Sequence, residues 1–592
     1  MDSRFDPIKL EILWSGLTSI AEEMGITLKK TAYSEMVREA NDFSCALFDE
    51  KGNMIAQTDY IGSPGHLGSV RDAVREILKV YPPDTLQQGD SMLTNDPYLV
   101  AGHLPDIAVA TPIFAQGKMI AFALNITHHT DVGGRVAGGH IADSREIFEE
   151  GFRIPISKLH EAGKPNRDVI KIIESNVRVP YKELGDLNAQ LSSNFVANKR
   201  LTEFITDFRL TLDEFAALCS QVIETSETAM RESIRGIPDR VFRAEEEMES
   251  FDGDTSIPMK VAISPKEGSL DVDYSGTGKQ SPNGINSPYN YTFAYTSHAV
   301  KCATNPGIPM NEGVMRTIHM KVPEGSLLNP KFPAAVGGRH LTNWHVNSLI
   351  FWALAGAAPK KVIAPSGGTG SNMPQFSGID SRTGRPFVQI VNHSGGLGAR
   401  PMKDGIDCYP FPARAENTPV EIVESAAPIT VRKLELAEDS GGAGEFRGGC
   451  GLVLEVRIDN KEGATLLNIS GRDKFTAQGL LGGMNGGPTE ILLRENPKSE
   501  WQKLHPRRIV RLSQGNYLRF RLPGGGGYGD PKKRDPKLVA TDVVNGLVSP
   551  KTASTIYKVA VNSKNGLVDY SKTRTLRRRG SGKTTALRKQ EL

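Results

Sequence analysis

The sequence predicts a multidomain protein of the α+β class, with α and β elements mixed in its parts. At 592 residues the chain is too long for a single hydrophobic core. Helical spacing of apolar residues dominates two stretches before residue 238, whereas strand-like spacing dominates residues 419–522. Sixty glycines, many of them in runs, indicate tight turns in a loop-rich, β-containing chain. We therefore expect four parts: 1–238, 239–418, 419–530 and 531–592.

Composition narrows the possible classes of protein. A net charge of +3 gives no argument for binding nucleic acid. There is no apolar run of 18 residues, so we expect no membrane span, and the amino terminus lacks the apolar core of a signal peptide. Five scattered cysteines form no CxxC pair, which argues against a disulfide framework or a cysteine-based zinc site. A reducing, cytoplasmic location is expected.

The first part is expected to be an α/β domain that carries a metal site. Asp6 and Pro7 predict the start of a helix, as N-cap and first helical residue, and apolar spacing continues it to about Thr31. Residues 41–57 read as two strands joined by a turn. Asp42 lies at the start of this hairpin and could face either solvent or a metal. A second helical region is predicted from residue 167 to about 228.

Imidazoles and carboxylates alternate between residues 89 and 156, a pattern that suits a divalent ion such as zinc or manganese. His103 and Asp106 lie three residues apart, and the intervening proline makes the turn rigid. Two apolar strands follow, and the second delivers His128 at its end. Residue types alone leave two interpretations open, because a buried histidine can equally be a hydrogen-bonded core residue. For His140 and Asp143, later in the same span, we expect a role in loop structure rather than in metal binding.

The remaining parts carry fewer chemical signals. Residues 239–418 combine strands, helices and glycine-rich loops, and such loops can either bind an anion or form ordinary turns. Residues 419–530 predict a β-rich domain that closes in a flexible glycine run. Residues 531–592 predict a basic, largely disordered tail. Its Gly582-Lys583-Thr584 run is no P-loop, since Arg577 stands where that motif needs glycine.

Several motifs in order resemble the hydantoinase B/5-oxoprolinase family over roughly residues 5 to 530. They read NDFSCALFD, TNDPY, GHLPDIAVATPIF, THHTDVGG, EIFEEGFRIP, DYSGTGKQSPNGIN, HSGGLGARPMKDG and PGGGGYGDP. The chain length and the short spacing from TNDPY to DVGG look more like the B-type subunits of ATP-dependent hydantoinases than the larger acetone carboxylase subunits. The basic tail lies outside the resemblance.

The resemblance implies an A-type partner subunit that binds ATP and phosphorylates the carbonyl oxygen of a cyclic amide. The B-type chain would hold a divalent metal (zinc, manganese or magnesium) through His103, Asp106 and His128, with Asp42 as a possible fourth ligand. Such a metal lowers the pKa of bound water from about 15.7 towards ~7. His129 and Asp131 are then expected to be catalytic, by supporting the ligands or accepting a proton from the water.

The expected activity is the ATP-dependent opening of 5-substituted hydantoins to N-carbamoyl amino acids by a hetero-oligomer. Three alternatives remain. The substrate could be 5-oxoproline or another lactam. The same metal site could serve a subunit of an ATP-dependent ketone carboxylase. The chain could also be a non-catalytic subunit in which a metal only stabilises the fold.

Overall fold

A computed structural model describes residues 5–63, 68–368, 373–562 and 565–579, apart from the side chains of Ala101 and Arg579. It confirms the mixed α and β character of the chain. Residues 5–238 contain α1 (Pro7–Thr31), α2 (Glu35–Arg38), β1 (Phe43–Asp49), β2 (Met54–Gln57), α3 (Ala73–Val80), β3 (Ser91–Thr94), β4 (Asp106–Ala115), β5 (Lys118–His128), β6 (Ser157–Glu161), β7 (Lys164–Pro165), α4 (Arg167–Asn176), α5 (Pro180–Asp207) and α6 (Leu212–Arg235).

The strands of this region form one antiparallel seven-stranded sheet in the order β2-β1-β5-β4-β3-β6-β7. Because strand side chains alternate between faces, Cys45 and Leu47 pack towards α1, α5 and α6. Ala46 and Phe48 face the opposite core, which includes residues of the following region. The sheet is therefore buried on both faces. The predicted start of α1 is confirmed, since the Asp6 carboxylate accepts two backbone N–H groups of its first turn.

The second region covers the sheet with helices. Its elements are β8 (Phe242–Glu249), β9 (Ser256–Lys266), β10 (Ser269–Asp273), α7 (Tyr289–Thr304), α8 (Glu312–Arg316), β11 (Ile318–Lys321), α9 (Arg339–Ala355), β12 (Gln375–Ile379) and β13 (Pro386–Ile390). Helices α7 and α9 pack on each other and share their core with the seven-stranded sheet. Helix α9 is buried along nearly its whole length, so its polar side chains must find partners inside the protein.

Two further sheets pack face to face in the carboxyl-terminal half. The elements here are α10 (Val420–Ala426), β14 (Ile429–Leu436), β15 (Leu452–Ile458), β16 (Ala464–Leu467), β17 (Glu490–Arg494), β18 (Gln502–Lys503), β19 (Ile509–Leu512) and β20 (Tyr517–Arg521). One sheet has the order β14-β15-β20-β17-β18 and the other β13-β12-β16-β19. The expected boundary between residues 418 and 419 needs correction, because β12 pairs with β16 across it. The rest of the four-part division stays a prediction.

Glycine-rich segments 395–398, 441–451, 479–487 and 524–527 run side by side with direct backbone contacts, and we call them the glycine bundle. A Cβ at Gly396 would lie 1.8 Å from the carbonyl oxygen of Gly449, so only glycine fits there. The backbone N–H of Gly525 donates to the carbonyl of Gly449 at 3.0 Å. The prediction of a flexible end at residues 523–531 was therefore wrong, since Gly524 to Gly527 are buried.

The prediction of a largely disordered tail was also wrong for the part that the structure describes. Residues 531–579 contain α11 (Pro536–Val544), α12 (Pro550–Thr555) and α13 (Tyr570–Arg579). Val539, Tyr557 and Val559 are buried in a cluster with Ala443, so apolar burial holds this segment against the glycine bundle. Residues 580–592, with the Gly582-Lys583-Thr584 run, lie outside the described residues. Within the described part of the chain, every helix is too short or too polar to cross a bilayer.

Candidate metal centre

The β4–β5 hairpin brings the predicted ligands together. Asp106, the first residue of β4, is paired in register with His128, the last residue of β5. His103 lies in the turn before β4, where its carbonyl accepts the N–H of Asp106 at 3.2 Å. All three residues are at most 1% exposed. A local hairpin and a three-residue turn therefore suffice to assemble the cluster.

Three ligand atoms converge at this point. Nε2 of His103 lies 2.8 Å from Oδ1 of Asp106 and 3.1 Å from Nδ1 of His128. Nδ1 of His128 is 3.1 Å from the same oxygen. With metal–nitrogen bonds of about 2.05 Å, the edge of a tetrahedral zinc site is about 3.3 Å. The separations approach that edge, and the donor set of two imidazoles and a carboxylate suits a divalent ion, so the residues fit the metal that the sequence implies.

Arg339, the first residue of α9, completes the charge balance. Its guanidinium donates to Oδ2 of Asp106 and lies over the ring of Tyr291, 4.0 Å from the centroid. Burial alone would raise the pKa of Asp106, but His103 and Arg339 outweigh it and hold that pKa well below its usual range. Burial and the nearby guanidinium lower the pKa of His103 to about 3. The carboxylate is thus ionised and the imidazole neutral, which are the forms that bind metals.

The cluster forms one wall of a small cavity that leaves about 40 Å³ of free space for a water-sized molecule. Asp42 reaches this wall, and its Oδ1 accepts a hydrogen bond of 3.2 Å from the Ser63 hydroxyl. The structure therefore places all four predicted ligands at one cavity. The rest of the lining mixes polar and apolar side chains: His140, Tyr291, Tyr295, Arg339, His340, Trp344, Met373, Asn392, Ala413 and Ala415. Only a small molecule fits in such a space.

The structure does not bring His129 and Asp131 to the cavity, which corrects their expected catalytic role. Nδ1 of His129 lies 2.8 Å from Oε2 of Glu183, on α5. Burial alone would lower the pKa of His129, but Glu183 outweighs it and raises that pKa. Asp131 accepts hydrogen bonds from the backbone and guanidinium of Arg178, at 2.6 and 2.9 Å. Both residues tie the end of β5 to the α4–α5 region, away from the reacting centre.

Other residues of the centre were missed from the sequence. His140 belongs to a group of three histidines whose ring nitrogens lie within 4.8 Å of one another, with His103 and His128. The prediction that His140 only supports its loop is therefore incomplete, whereas Asp143 does pair with Arg135 near the surface. His340 and Arg339 come from α9, far along the chain. The sequence also places His66 in the loop before α3 and favours a structural role for it over metal ligation, but this residue lies outside the described residues.

The sequence and the fold of this chain are similar to those of known proteins. Residues 6–531 match the family described as hydantoinase B/oxoprolinase. A relative from Pseudomonas sp. (strain NS671), named as the putative B-type subunit of a D-/L-hydantoinase, is 30% identical over 97% of this chain and 98% of its own length. The crystal structure of the ATP-dependent caprolactamase from Pseudomonas jessenii superposes with a TM-score of 0.88 at 28% identity, covering 97% of this chain and all of that one.

A nucleotide-free structure of acetone carboxylase has the same fold, with a TM-score of 0.90 over 97% of this chain and 83% of that chain. At 18% identity the likeness concerns the fold alone. The family match, by contrast, spans nearly the whole sequence and includes the hairpin and helix that form the candidate metal centre. The chain therefore belongs to the hydantoinase B/oxoprolinase family.

Proposed function

We propose that this chain is the metal-binding subunit of an ATP-dependent cyclic amidase, active with an A-type subunit that binds ATP. The convergence of His103, Asp106 and His128 at a small buried cavity is the observation that carries the proposal. These residues, with Asp42, would hold zinc, manganese or magnesium. When bound, the metal supplies a hydroxide at neutral pH by lowering the pKa of water. We assign no catalytic role to His129 and Asp131, because they do not line the cavity.

The protein's own residues would position the substrate. An amide carbon resists attack because nitrogen donates electrons into the carbonyl, and phosphorylation of the oxygen by the partner removes that donation. In the net reaction ATP, the cyclic amide and two waters give ADP, phosphate and the opened product: the C–N bond breaks, the carbon gains a hydroxyl, the nitrogen gains a hydrogen and the phosphoryl group leaves as phosphate. Trp344, Met373 and Ala413 form an apolar stretch of the lining that suits the carbon skeleton of a small ring. Such a buried wall also excludes bulk water from the reacting carbon.

The substrate we propose is a 5-substituted hydantoin, opened to an N-carbamoyl amino acid. The hydantoinase relative from Pseudomonas sp. supports a hydantoin, whereas the caprolactamase structure supports a lactam, so a lactam such as 5-oxoproline is the second candidate. A ketone carboxylase shares only the fold at 18% identity. Association with an A-type subunit is proposed because that hydantoinase relative is itself named as one subunit of its enzyme.

The proposal is tested on the protein co-expressed with its A-type subunit. ATP hydrolysis and ring opening are measured with a hydantoin, a lactam, and a ketone plus bicarbonate, and metal content is measured in parallel. His128→Ala should lose both metal and ring opening. The matched control, His319→Ala, removes a histidine that is 61% exposed and should change neither.

Each result assigns the chain differently. Hydantoin opening coupled to ATP supports the proposal, and turnover of lactams alone moves the substrate to the second candidate. Turnover of the ketone alone would make the chain a carboxylase subunit. Full activity in a metal-free His128→Ala complex would show that the metal takes no part in the reaction. Any metal in the wild-type protein could then only stabilise the fold.

A further inference from the structure

His140 lies beside the ligand cluster but belongs to a separate loop between β5 and β6. Its ring stacks on His128, with centroids 4.7 Å apart and an angle of 29°, and meets the edge of His103 at 4.9 Å. The side chain lines the cavity and is 3% exposed. From position alone it could be a third imidazole ligand or a hydrogen-bond donor to the substrate. For any one ring nitrogen the two roles exclude each other, because a nitrogen that carries hydrogen cannot bind a metal.

Gln375 decides between these tautomers. Its amide Nε2 lies 2.7 Å from Nδ1 of His140, and both side chains are buried. Gln375 is the first residue of β12, where it is paired with Ile390 of β13 and Leu467 of β16. Strands on both sides therefore hold its backbone in place. A donor in this position requires that Nδ1 of the histidine be the acceptor.

The surroundings of the other amide atom support this orientation. A Cβ built on Gly138 would lie 1.7 Å from Oε1 of Gln375, so a Cα hydrogen of this glycine points at the oxygen. A carbonyl oxygen tolerates that contact as a weak C–H···O interaction. The reversed amide would instead press its NH₂ group against a carbon, without an acceptor, and buried N–H groups without partners are rare. The amide therefore donates to His140.

A histidine that accepts at Nδ1 carries its hydrogen on Nε2. We propose that His140 is a catalytic residue that donates this hydrogen to an oxygen of the substrate at the reacting carbon, and that Gln375 is the positioning residue that fixes the tautomer. The inference rests on the proposed function. Negative charge grows on the oxygen that joins carbon and phosphorus when phosphate leaves the carbon, and a donor already aligned in a buried cavity stabilises it. Loss of one such donor typically lowers turnover about 10²–10³-fold.

Two variants separate a donor from a ligand. His140→Gln removes the ring, and Gln375→Glu replaces the amide donor with a carboxylate that can only accept. The new carboxylate should draw the hydrogen to Nδ1 and leave Nε2 with a lone pair. Each variant chain is first compared with wild type by circular dichroism and gel filtration, and Gln375→Met, which neither donates nor accepts strongly, is the matched control for the charge introduced by glutamate.

The first readout is the ¹⁵N NMR spectrum of zinc-loaded chain labelled at histidine, with the His140 signal identified by its absence in His140→Gln. We expect the Nε2–H tautomer in wild type and the Nδ1–H tautomer in Gln375→Glu. The Nδ1–H tautomer in wild type would overturn the inference. This measurement needs neither partner nor substrate, so it stands whatever the substrate proves to be.

The second readout combines metal content with ATP-coupled ring opening in the complex. We expect both variants to retain zinc as wild type does and to turn over about 10²–10³-fold more slowly. Loss of zinc in His140→Gln would make His140 a ligand and overturn the inference, as would unchanged turnover in that variant. If the wild-type complex opens no cyclic amide at all, the proposed function fails, and the substrate contact fails with it even where the tautomer is as expected.

Discussion

Arg339 holds Asp106 by one carboxylate oxygen and leaves the other to the histidines. The guanidinium donates to Oδ2, whereas Oδ1 faces His103 and His128. Both partners are buried, with side chains 3% and 0% exposed. This division of the carboxylate fixes which oxygen a metal would meet, and it comes from a helix far from the ligands in sequence.

We expect Arg339→Lys to weaken zinc binding about 10–100-fold, the usual cost of losing a partner that orients a ligand. Lysine keeps the positive charge but cannot donate in a planar fork while lying over the ring of Tyr291. Competition with a chelator measures the affinity, and Arg135→Lys, at a partly exposed position, is the control. Equal zinc affinity in Arg339→Lys and wild type would show that Asp106 needs no such partner.

A buried carboxyl group should make stability depend on pH. Glu150 is fully buried, and burial raises its pKa to about 8, although it accepts N–H groups from Val336 and Gly337. Its ordinary pKa is 4.5. Because the folded-state pKa is the higher one, its contribution to stability is fully present below pH 4.5 and is lost as the pH rises through 8.

We therefore expect the stability of wild type, measured relative to Glu150→Gln by urea unfolding, to fall between pH 5 and pH 8. The glutamine variant has no carboxyl group to ionise at this position, so it removes this one contribution and leaves the others. Curves for the two proteins that run parallel across this range would mean that Glu150 titrates normally.

The glycine bundle should not tolerate a methyl group. In Gly396→Ala the new Cβ meets the backbone oxygen of Gly449 rather than a movable side chain. Overpacking of this kind costs about 1–3 kcal/mol or more in the free energy of unfolding, and chemical denaturation measures it. Gly307→Ala is the control, since the nearest atom to its Cβ is 3.7 Å away. Similar losses in the two variants would contradict the close packing.

The carboxyl-terminal segment should detach when its buried ion pairs are broken. Arg534, with a side chain 1% exposed, pairs with Asp404 at 2.6 Å and with Asp542 at 2.8 Å. Arg534→Met leaves the partly exposed Asp404 and the largely buried Asp542 without this guanidinium, so the cost should lie below the about 3–5 kcal/mol of a fully buried pair. Limited proteolysis should then cut after residue 530 sooner than in the control Lys533→Met, which changes an exposed neighbour. Equal cleavage rates in the two variants would show that Arg534 does not hold the carboxyl-terminal segment in place.

The sequence was sufficient to predict that these three side chains meet, because they lie on one local hairpin and the turn before it. His103, Asp106 and His128 needed only a turn and two adjacent strands to meet. His129 was assigned wrongly since neighbouring residues on a strand point to opposite sides: His128 faces the cavity and His129 faces α5. The contributions of Arg339 and Gln375 depend on long-range packing of other elements, which no local spacing reveals.

The glycine bundle and the carboxyl-terminal segment were misjudged for a related reason. Gly396 allows its backbone to touch that of Gly449. In the sequence, such a glycine cannot be distinguished from a glycine in a turn. The segment after residue 530 has too few apolar residues for a clear helical period, yet Val539 and Tyr557 find a buried surface on Ala443. Both features depend on surfaces that exist only once distant parts of the chain have met.

The order in which the ribosome makes this chain gives the hairpin a further meaning. His103, Asp106 and His128 are synthesised before Arg339 and Gln375, which follow roughly 200 residues later in a chain made at about 5–20 residues per second. The nascent hairpin can therefore present its three ligands while the opposite wall does not yet exist. In the finished protein the same side chains are almost wholly buried and face only the cavity. Metal supplied during translation would thus meet an open site, and metal supplied afterwards would have to enter through the cavity.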